Sequence, residues 1–468
     1  MLFNSLEYFL LLITAVVGYW ISPNQNIRKA ILFGASIIFY ITWSAPFILL
    51  LFGVCLLNWL CSKYEEKYNR SAVYLFAVFS TLAVLAYFKY SQFLLNNLAL
   101  LAQSLQIPYT APKLHIILPL GISFYCFQII AYTMDAKERK FKVDRNPLDV
   151  LLFIIYFPQL IAGPICHRNE LMPQLNKKSP FSWQYISAGL ALFAIGLFLK
   201  VTFADGIAPF VDKVFAHPEN FTSGHTLQAV LGYTVQILGD FWGYSTMAVG
   251  SSLMFGIRIP TNFNLPYASK SLQEFWRRWH ITLSLWLRDY LYIRVGGSRA
   301  TSLLTYRNLM ITMVLGGLWH GANWTFIVWG TIHGTVLSIE RFINARIAPA
   351  SNSQNTQWLI SLFQWSYTFA VVVLAWVFFR ATHINNALHI LSQLGSSFRH
   401  ILSFDKSDPS FLLILLFIPL HLFLNNQINS ALSLKQKNMH LIGLSLLLLF
   451  LSIIFSADDV QKFIYFEF

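Results

Sequence analysis

Long uncharged apolar segments constrain this chain more than any other feature of its sequence. The interval between Arg307 and Glu340 contains no Asp, Glu, Lys or Arg, and residues 357–379 and 441–456 are likewise uncharged. A helix needs about 20 mostly apolar residues to cross a bilayer. Only 11% of the 468 residues are charged, against about a quarter in an ordinary soluble domain. A large soluble core is therefore excluded, and the chain is predicted to cross a membrane repeatedly.

Further apolar segments predict an all-α, polytopic membrane protein. We expect about ten to twelve transmembrane helices in a single domain over residues 1–468, with an aromatic tail at 460–468. The first segment has no Lys or Arg before Arg28 and is expected to be a retained pass. Two prolines and a glycine within 157–164 predict a re-entrant piece. The segments lie at 5–21, 30–60 (two passes, broken near 44–46), 72–102, 115–134, 147–166, 183–203, 226–257 and 411–424.

The net charge of +13 is explained better by a membrane than by a nucleic acid. Lys and Arg accumulate in the cytoplasmic loops of membrane proteins. Basic loops at 28–29, 63–70 and 137–145 fall on one side if the N-terminus is extracytoplasmic. No nucleic-acid partner is therefore expected. No metal site or disulfide is predicted either, because the four cysteines lie in or beside apolar segments without zinc-ligand spacing.

Two polar constellations are candidates for chemistry. In a continuous helix over 275–290, His280, Ser284 and Arg288 would share one face; an amphipathic interfacial helix with snorkelling arginines explains the same composition. The second is His320, which lies among glycines in the middle of the uncharged interval. A buried imidazole tends to stay neutral and can act as a general base on a hydroxyl. A histidine that bonds a neighbouring helix is the alternative.

Several motifs, taken together and in order, resemble the membrane-bound O-acyltransferase superfamily, specifically its bacterial branch that acetylates alginate and peptidoglycan. The resemblance runs nearly end to end. The motifs are PLGISFY at 119–125, FPQL at 157–160 with AGP at 162–164, DFWGYS at 240–245 with MA at 247–248, NFNLPY at 262–267, the block from WH to DY at 279–290, and LWHG at 318–321.

This resemblance implies roles for individual residues. His320 corresponds to a near-invariant histidine in a tunnel through the membrane, and His280 matches a second position often required for activity. The implied donor is a cytoplasmic acyl thioester, foremost acetyl-CoA, and no bound cofactor is implied. Arg277 and Arg278 would suit its phosphates, although the positive-inside rule also explains both. The residues expected to shape the site are Ser284, Arg288, Asp289, Trp319 and Asn323.

The tail KFIYFEF at 462–468 allows two interpretations. It is typical of an interfacial aromatic anchor. The alginate and peptidoglycan branch carries a similar tail, and an analogous motif ends the small partner subunit of the teichoic-acid D-alanylation system. That similarity suggests Tyr465 as an acyl carrier, since a phenol ester is activated enough to hand the group on. The family usually works with an extracytoplasmic SGNH-type esterase or transferase, so a separate partner is implied.

The predicted function is thus O-acetylation of an envelope polysaccharide by a multi-pass protein of the bacterial inner membrane, embedded in its lipid. The compact chain favours peptidoglycan slightly over alginate as acceptor. A teichoic-acid D-alanine exporter shares the histidine but uses a carrier-protein donor. A secondary transporter would need more paired carboxylates or unwound helices at mid-membrane. A scaffold would leave both histidine blocks unexplained.

Overall fold

The computed structural model describes residues 1–161, 163–299, 301–346, 354–396, 403–434, 438–455 and 463–464, and all regular secondary structure in these ranges is helical. The all-α prediction is confirmed. The chain divides into two compact units. The first comprises Met1–Ile186 with Ser251–Pro260, and the second comprises Ser187–Gly250 with Thr261–Phe468.

The first unit contains helices α1 to α7 in its described residues. The predicted break near residues 44–46 is found between α2 and α3, where Pro46 precedes the first helical residue and has no N–H to donate. The helices are α1 (Leu6–Ile21), α2 (Gln25–Ser44), α3 (Phe47–Tyr68), α4 (Ser71–Ser104), α5 (Ile122–Lys137), α6 (Pro147–Ile155) and α7 (Arg168–Asn176).

A contact between two sequence motifs organises the middle of this unit. Helix α6 ends at Ile155, and the chain that follows is buried without regular helix. Gly121 precedes α5 with a positive φ of 68°, and a Cβ there would lie 2.8 Å from the Leu160 carbonyl oxygen. Only glycine combines that backbone conformation with so close an approach. The predicted interruption of this segment is confirmed. The predicted apolar segments 115–134 and 147–166 extend beyond the helices they contain, since α5 begins only at Ile122 and α6 ends at Ile155.

Helices α8 to α18 belong mainly to the second unit. Two π-helical segments, Leu199–Asp205 and Arg288–Tyr292, continue α8 and α12. The helices are α8 (Trp183–Phe198), α9 (Gly206–Ala216), α10 (Ser223–Met254), α11 (Leu272–Arg278), α12 (Ile281–Leu287), α13 (Ser302–His320), α14 (Trp324–Asn344), α15 (Gln354–Arg380), α16 (Ile384–Ser396), α17 (Pro409–Leu432) and α18 (Asn438–Ile454).

Several described helices are long and apolar enough to cross a membrane. Five meet the length and composition that a span requires, and they are Phe47–Tyr68, Ser71–Ser104, Trp183–Ala216, Gln357–Arg380 and Pro409–Leu432. Two shorter apolar helices, Leu6–Ile21 and Met439–Ile454, accompany them. The protein is therefore a multi-pass membrane protein, built from helices whose backbone groups are satisfied within each segment.

Candidate active site

A tight helical hairpin carries His320 at its turn. Helix α13 ends at His320 and α14 begins at Trp324, so the interval between Arg307 and Glu340 folds back on itself. A Cβ on Gly317 would lie 2.2 Å from the Phe326 carbonyl oxygen, and small residues of this kind let two helices approach closely. The sequence places His320 in the middle of an apolar segment, whereas in the structure it occupies the end of a helix.

Aromatic rings enclose the His320 imidazole. The side chain is buried, and three aromatic rings contact it. The distances from the imidazole centroid to the ring centroids are 5.0 Å for Trp319, 5.2 Å for Trp329 and 5.1 Å for Phe379. These rings come from α13, α14 and α15. These surroundings leave the imidazole buried against aromatic rings from three helices.

The helix expected over 275–290 is interrupted at His280. Helix α11 ends at Arg278 and α12 begins at Ile281, and His280 between them has φ 41° and ψ 55°, the left-handed region. Asn262 holds this break: its carbonyl oxygen accepts from Ile281 N at 2.9 Å, and its Oδ1 accepts from Thr282 Oγ1 at 2.7 Å. The predicted shared face of His280, Ser284 and Arg288 is therefore wrong. A non-glycine residue in this conformation often marks a functional site.

Trp319 brings the two histidine blocks together. Its ring centroid lies 6.0 Å from that of His280 and 5.0 Å from that of His320. His280 is fully buried and meets Phe241 edge-to-face at 4.6 Å. The two sequence motifs that contain these histidines thus converge on one aromatic cluster. Trp319, predicted to shape the site, lies between the two histidines in this cluster.

A cleft of about 560 Å³ lies beside this cluster. Its lining includes Arg277, Ser284 and Arg288. His280 is buried and does not belong to the lining, so these residues do not share a surface with it. Trp276 also lines the cleft, and its ring centroid is 5.7 Å from that of Trp329, which contacts His320. A continuous series of aromatic contacts therefore leads from the cleft to His320.

The two arginines predicted to bind the donor have different surroundings. Arg277 lines the cleft and forms no ion pair with any residue in the described part of the chain. Arg278 pairs with Glu274 at 2.7 Å and donates to the Asn264 carbonyl oxygen at 3.3 Å. Partial burial raises the pKa of Glu274, but the Lys270 backbone N–H and the Arg278 guanidinium outweigh it and hold that pKa below its usual value. Glu274 stays ionised, and Arg278 stays engaged with it.

The remaining predicted site residues lie near the cleft or at a helix end. Arg288 pairs with Asp289 in a bidentate arrangement at 2.7 and 3.1 Å, and more than half of the Arg288 side chain is exposed. Asn323 is the N-cap of α14, where its Oδ1 accepts from Thr325 N at 3.0 Å and its Nδ2 donates to the Thr382 carbonyl oxygen at 2.8 Å. Asn323 therefore fixes the hairpin turn.

Sequence reasoning missed three residues of this region. His333 is fully buried on α14, 4.6 Å from the Trp329 ring and 5.3 Å from the Trp276 ring between centroids. Arg341 lines the cleft. Glu340 lines it as well and accepts from Leu272 N at 2.8 Å and Gln273 N at 3.3 Å, so it caps the start of α11. A second histidine in the uncharged interval was the available signal for His333; nothing in the sequence pairs Glu340 with α11.

Two residues of the C-terminal tail are described, and both contact the second unit. The Phe463 ring stacks on Tyr244 at 4.4 Å between centroids, and Ile464 N donates to Asp240 Oδ2 at 2.7 Å. Tyr465, the predicted acyl carrier, lies outside the described residues.

Comparison with known proteins identifies the family. Residues 135–379 match the sequence model of the membrane-bound O-acyltransferase family. The chain belongs to this family. The matched region contains the cleft, His280 and His320, whereas the tail lies beyond it.

The relatives extend the similarity along most of the chain. The probable alginate O-acetylase AlgI of Azotobacter vinelandii is 40% identical over 403 residues, 85% of this chain and 78% of the relative. The peptidoglycan O-acetyltransferase of Helicobacter pylori is 37% identical over 428 residues, 84% of this chain and 79% of that protein. The teichoic acid D-alanyltransferase of Bacillus subtilis is 29% identical over 325 residues, 66% and 76% respectively. The chain is thus an enzyme, a membrane O-acetyltransferase of this family, and neither a transporter nor a scaffold.

Proposed function

We propose that this O-acetyltransferase takes an acetyl group from cytoplasmic acetyl-CoA and passes it across the bacterial inner membrane for O-acetylation of an envelope polysaccharide. One observation carries the proposal. The arginine-lined cleft connects through the rings of Trp276 and Trp329 to the buried imidazole of His320. An anionic donor bound in the cleft would therefore have its reactive end directed toward a buried base.

The cleft suits the phosphates of coenzyme A. Arg277, Arg288 and Arg341 contribute guanidinium groups to its lining, and the planar guanidinium fork matches phosphate oxygens in bidentate geometry. Arg288 is more than half exposed, and in the described part of the chain it forms an ion pair with the partly buried Asp289, so phosphate oxygens can replace that carboxylate at small cost. Arg278, which is held by Glu274 outside the cleft lining, is not part of the proposed donor site.

The proposed chemistry divides the transfer into three successive acyl exchanges. His320 accepts the proton of the Tyr465 hydroxyl while the phenolic oxygen attacks the thioester carbonyl. The carbon–sulfur bond breaks, the coenzyme A thiolate takes the proton from His320, and the acetyl group remains on Tyr465 as a phenyl ester. The hydroxyl of a serine in an SGNH-type extracytoplasmic partner then attacks this ester, and its proton passes to the released Tyr465 oxygen. In a last exchange a sugar hydroxyl attacks the acetyl-serine, and its proton returns to the serine oxygen. Such covalent relays replace one difficult step with two easier ones.

The wider architecture and the acceptor belong to the same proposal. We expect about ten to twelve passes in a single membrane domain, with re-entrant segments around a central tunnel, and a location in the inner membrane. The apolar helices and the family membership support this arrangement. Both peptidoglycan and alginate O-acetylating proteins occur among the relatives, which supports an envelope polysaccharide as the proposed acceptor, with peptidoglycan slightly favoured over alginate.

Tyr465→Phe tests the relay. The purified protein is incubated with labelled acetyl-CoA, and its C-terminal peptide is analysed by mass spectrometry. We expect one acetyl group on the parent peptide and none on Tyr465→Phe, because the variant lacks the attacking oxygen. Tyr367→Phe, which removes a partly exposed hydroxyl from α15, is the matched control and should retain acetylation.

Two results would oppose the proposal. Full transfer to the partner by Tyr465→Phe would show that the Tyr465 hydroxyl does not carry the acetyl group. Acylation from a D-alanyl carrier protein, without any from acetyl-CoA, would move the chain to the D-alanyltransferase branch of the family.

A further inference from the structure

Lys200, Asp205 and Asp240 form a buried ionic cluster that the proposed chemistry does not use. Lys200 Nζ lies 2.5 Å from Asp205 Oδ1 and 2.7 Å from Asp240 Oδ1, and all three side chains are at most 5% exposed. Lys200 and Asp205 belong to the π-helical segment after α8, a deviation frequent at functional sites. One lysine faces two carboxylates, so with all three groups ionised the cluster has one negative charge in excess.

The C-terminal segment supplies the additional partner. The Ile464 backbone N–H donates to Asp240 Oδ2 at 2.7 Å, whereas the 2.7 Å contact of Lys200 is with Asp240 Oδ1. Phe463 is 1% exposed, stacks on Tyr244, and lies 5.8 Å from the Phe241 ring between centroids. Asp240, Phe241 and Tyr244 all belong to the DFWGYS motif. The proposed donor site and the proposed chemistry of His320 assign no role to this motif.

We propose that this motif is a seat for the C-terminal segment, with Asp240 as a positioning residue that fixes the segment by its backbone. Binding through a backbone N–H sets the register along the segment without depending on the side chain of residue 464. The Phe241 ring lies between the seated Phe463 ring and the His280 ring, 5.8 and 4.6 Å away. The seat therefore brings the segment beside the histidine cluster. The role of the seat in acyl transfer rests on the proposed function, whereas the existence of the seat is inferred from these contacts alone.

The cluster offers a matched pair of variants. Asp240→Ala removes the acceptor of Ile464 N and leaves Lys200 paired with Asp205. Asp205→Ala also removes one carboxylate beside Lys200, but it keeps that acceptor. Either variant retains a one-to-one ion pair, whereas loss of Lys200 would leave two buried carboxylates without a counterion, a far more damaging change. Asp240→Asn retains a neutral acceptor and serves as the conservative variant.

The test measures how often the segment leaves its seat. Ile464→Cys keeps the backbone N–H. Because residue 464 is partly exposed in the seated segment, a rise in the rate of maleimide modification above that of the parent, measured in detergent, reports unseating. The native cysteines are buried, and a background in which all four are replaced removes their signal. We expect Asp240→Ala to raise the rate about ten-fold or more, the effect of losing one charge-assisted hydrogen bond. Asp205→Ala should stay within about two-fold of the parent, and Asp240→Asn should lie between them.

Equal rates in the parent and Asp240→Ala would overturn the seat, and so would equal increases in both alanine variants, which would indicate general loosening. Transfer kinetics provide the second readout. Asp240→Ala should lower kcat for acetyl transfer and leave KM for acetyl-CoA unchanged, with partial recovery in Asp240→Asn. If Tyr465→Phe retains transfer while the thiol rates behave as expected, the relay fails and the seat stands. If the thiol rates do not respond while Tyr465→Phe is inactive, the seat fails and the relay stands.

Discussion

Arg277 and Arg278 show how strongly the role of a residue depends on the direction in which its side chain leaves the helix. They are neighbours on α11, and successive side chains on a helix point about 100° apart. Arg277 therefore lines the cleft, while Arg278 is held by Glu274 and the Asn264 carbonyl oxygen. The sequence alone treats the two arginines as equivalent, because the composition of the basic loop contains no information about which side faces the cleft.

Alanine substitutions at these adjacent positions separate a donor-binding arginine from a structural one. We expect Arg277→Ala to raise KM for acetyl-CoA about ten-fold or more through loss of a charge-assisted phosphate contact. Arg278→Ala should change KM by less than about two-fold, since its partners are in the protein and an exposed pair contributes little. Initial-rate measurements over a range of acetyl-CoA concentrations decide the matter; a larger effect from Arg278→Ala would mean that the donor binds elsewhere.

His280 illustrates what sequence spacing could not predict. The spacing of His280, Ser284 and Arg288 fits a helix, but the left-handed backbone of His280 divides the segment and turns the imidazole into the interior. That conformation depends on hydrogen bonds to Asn262, a residue of the preceding motif. Contacts between distant parts of the chain are invisible to helical periodicity, so the arrangement of the predicted site residues could not be derived from the sequence.

At the scale of elements, the α13–α14 hairpin determines the position of His320. Its helices approach closely because glycines face backbone on the opposite helix: a Cβ on Gly330 would lie 2.3 Å from the Met313 carbonyl oxygen. The uncharged interval and its glycines are visible in the sequence, but they do not distinguish a single crossing from a hairpin. The choice depends on the turn, where the Asn323 side chain caps α14.

Gly317→Ala should destabilise the hairpin and displace His320. Its Cβ would meet the Phe326 carbonyl oxygen at 2.2 Å, and relief of such overpacking typically costs about 1–3 kcal/mol. We expect a lower midpoint of thermal unfolding in detergent, with reduced transfer. Gly443→Ala in α18 is the control, because nothing lies within 4 Å of its Cβ and alanine favours a helix interior over glycine. An unchanged midpoint for Gly317→Ala would contradict the close packing of the hairpin.

At the scale of the whole molecule, the sequence predicted the class of protein better than its segmentation. Apolar runs and ordered motifs indicated a helical membrane enzyme, and the helices and the family match confirm it. The limits of individual helices were less accurate where motifs create breaks, as at Gly121 before α5 and after Ile155 in α6. The hydrophobicity of a segment predicts that it lies in the membrane, but it does not predict where the helix ends. Such a break depends on contacts between distant parts of the chain, such as that between Gly121 and Leu160.

The central claim is tested most directly by acetyl release from labelled acetyl-CoA. The release is measured on the purified protein in detergent, with and without the proposed extracytoplasmic partner. The parent should remove label from the thioester, and His320→Ala should lose about two to four orders of magnitude in rate, the contribution typical of a general base. His421→Ala removes another histidine buried among aromatic rings of the same unit and should stay close to the parent. Equal activity of the parent and His320→Ala would contradict the account, because His320 would then not be the base that drives the transfer.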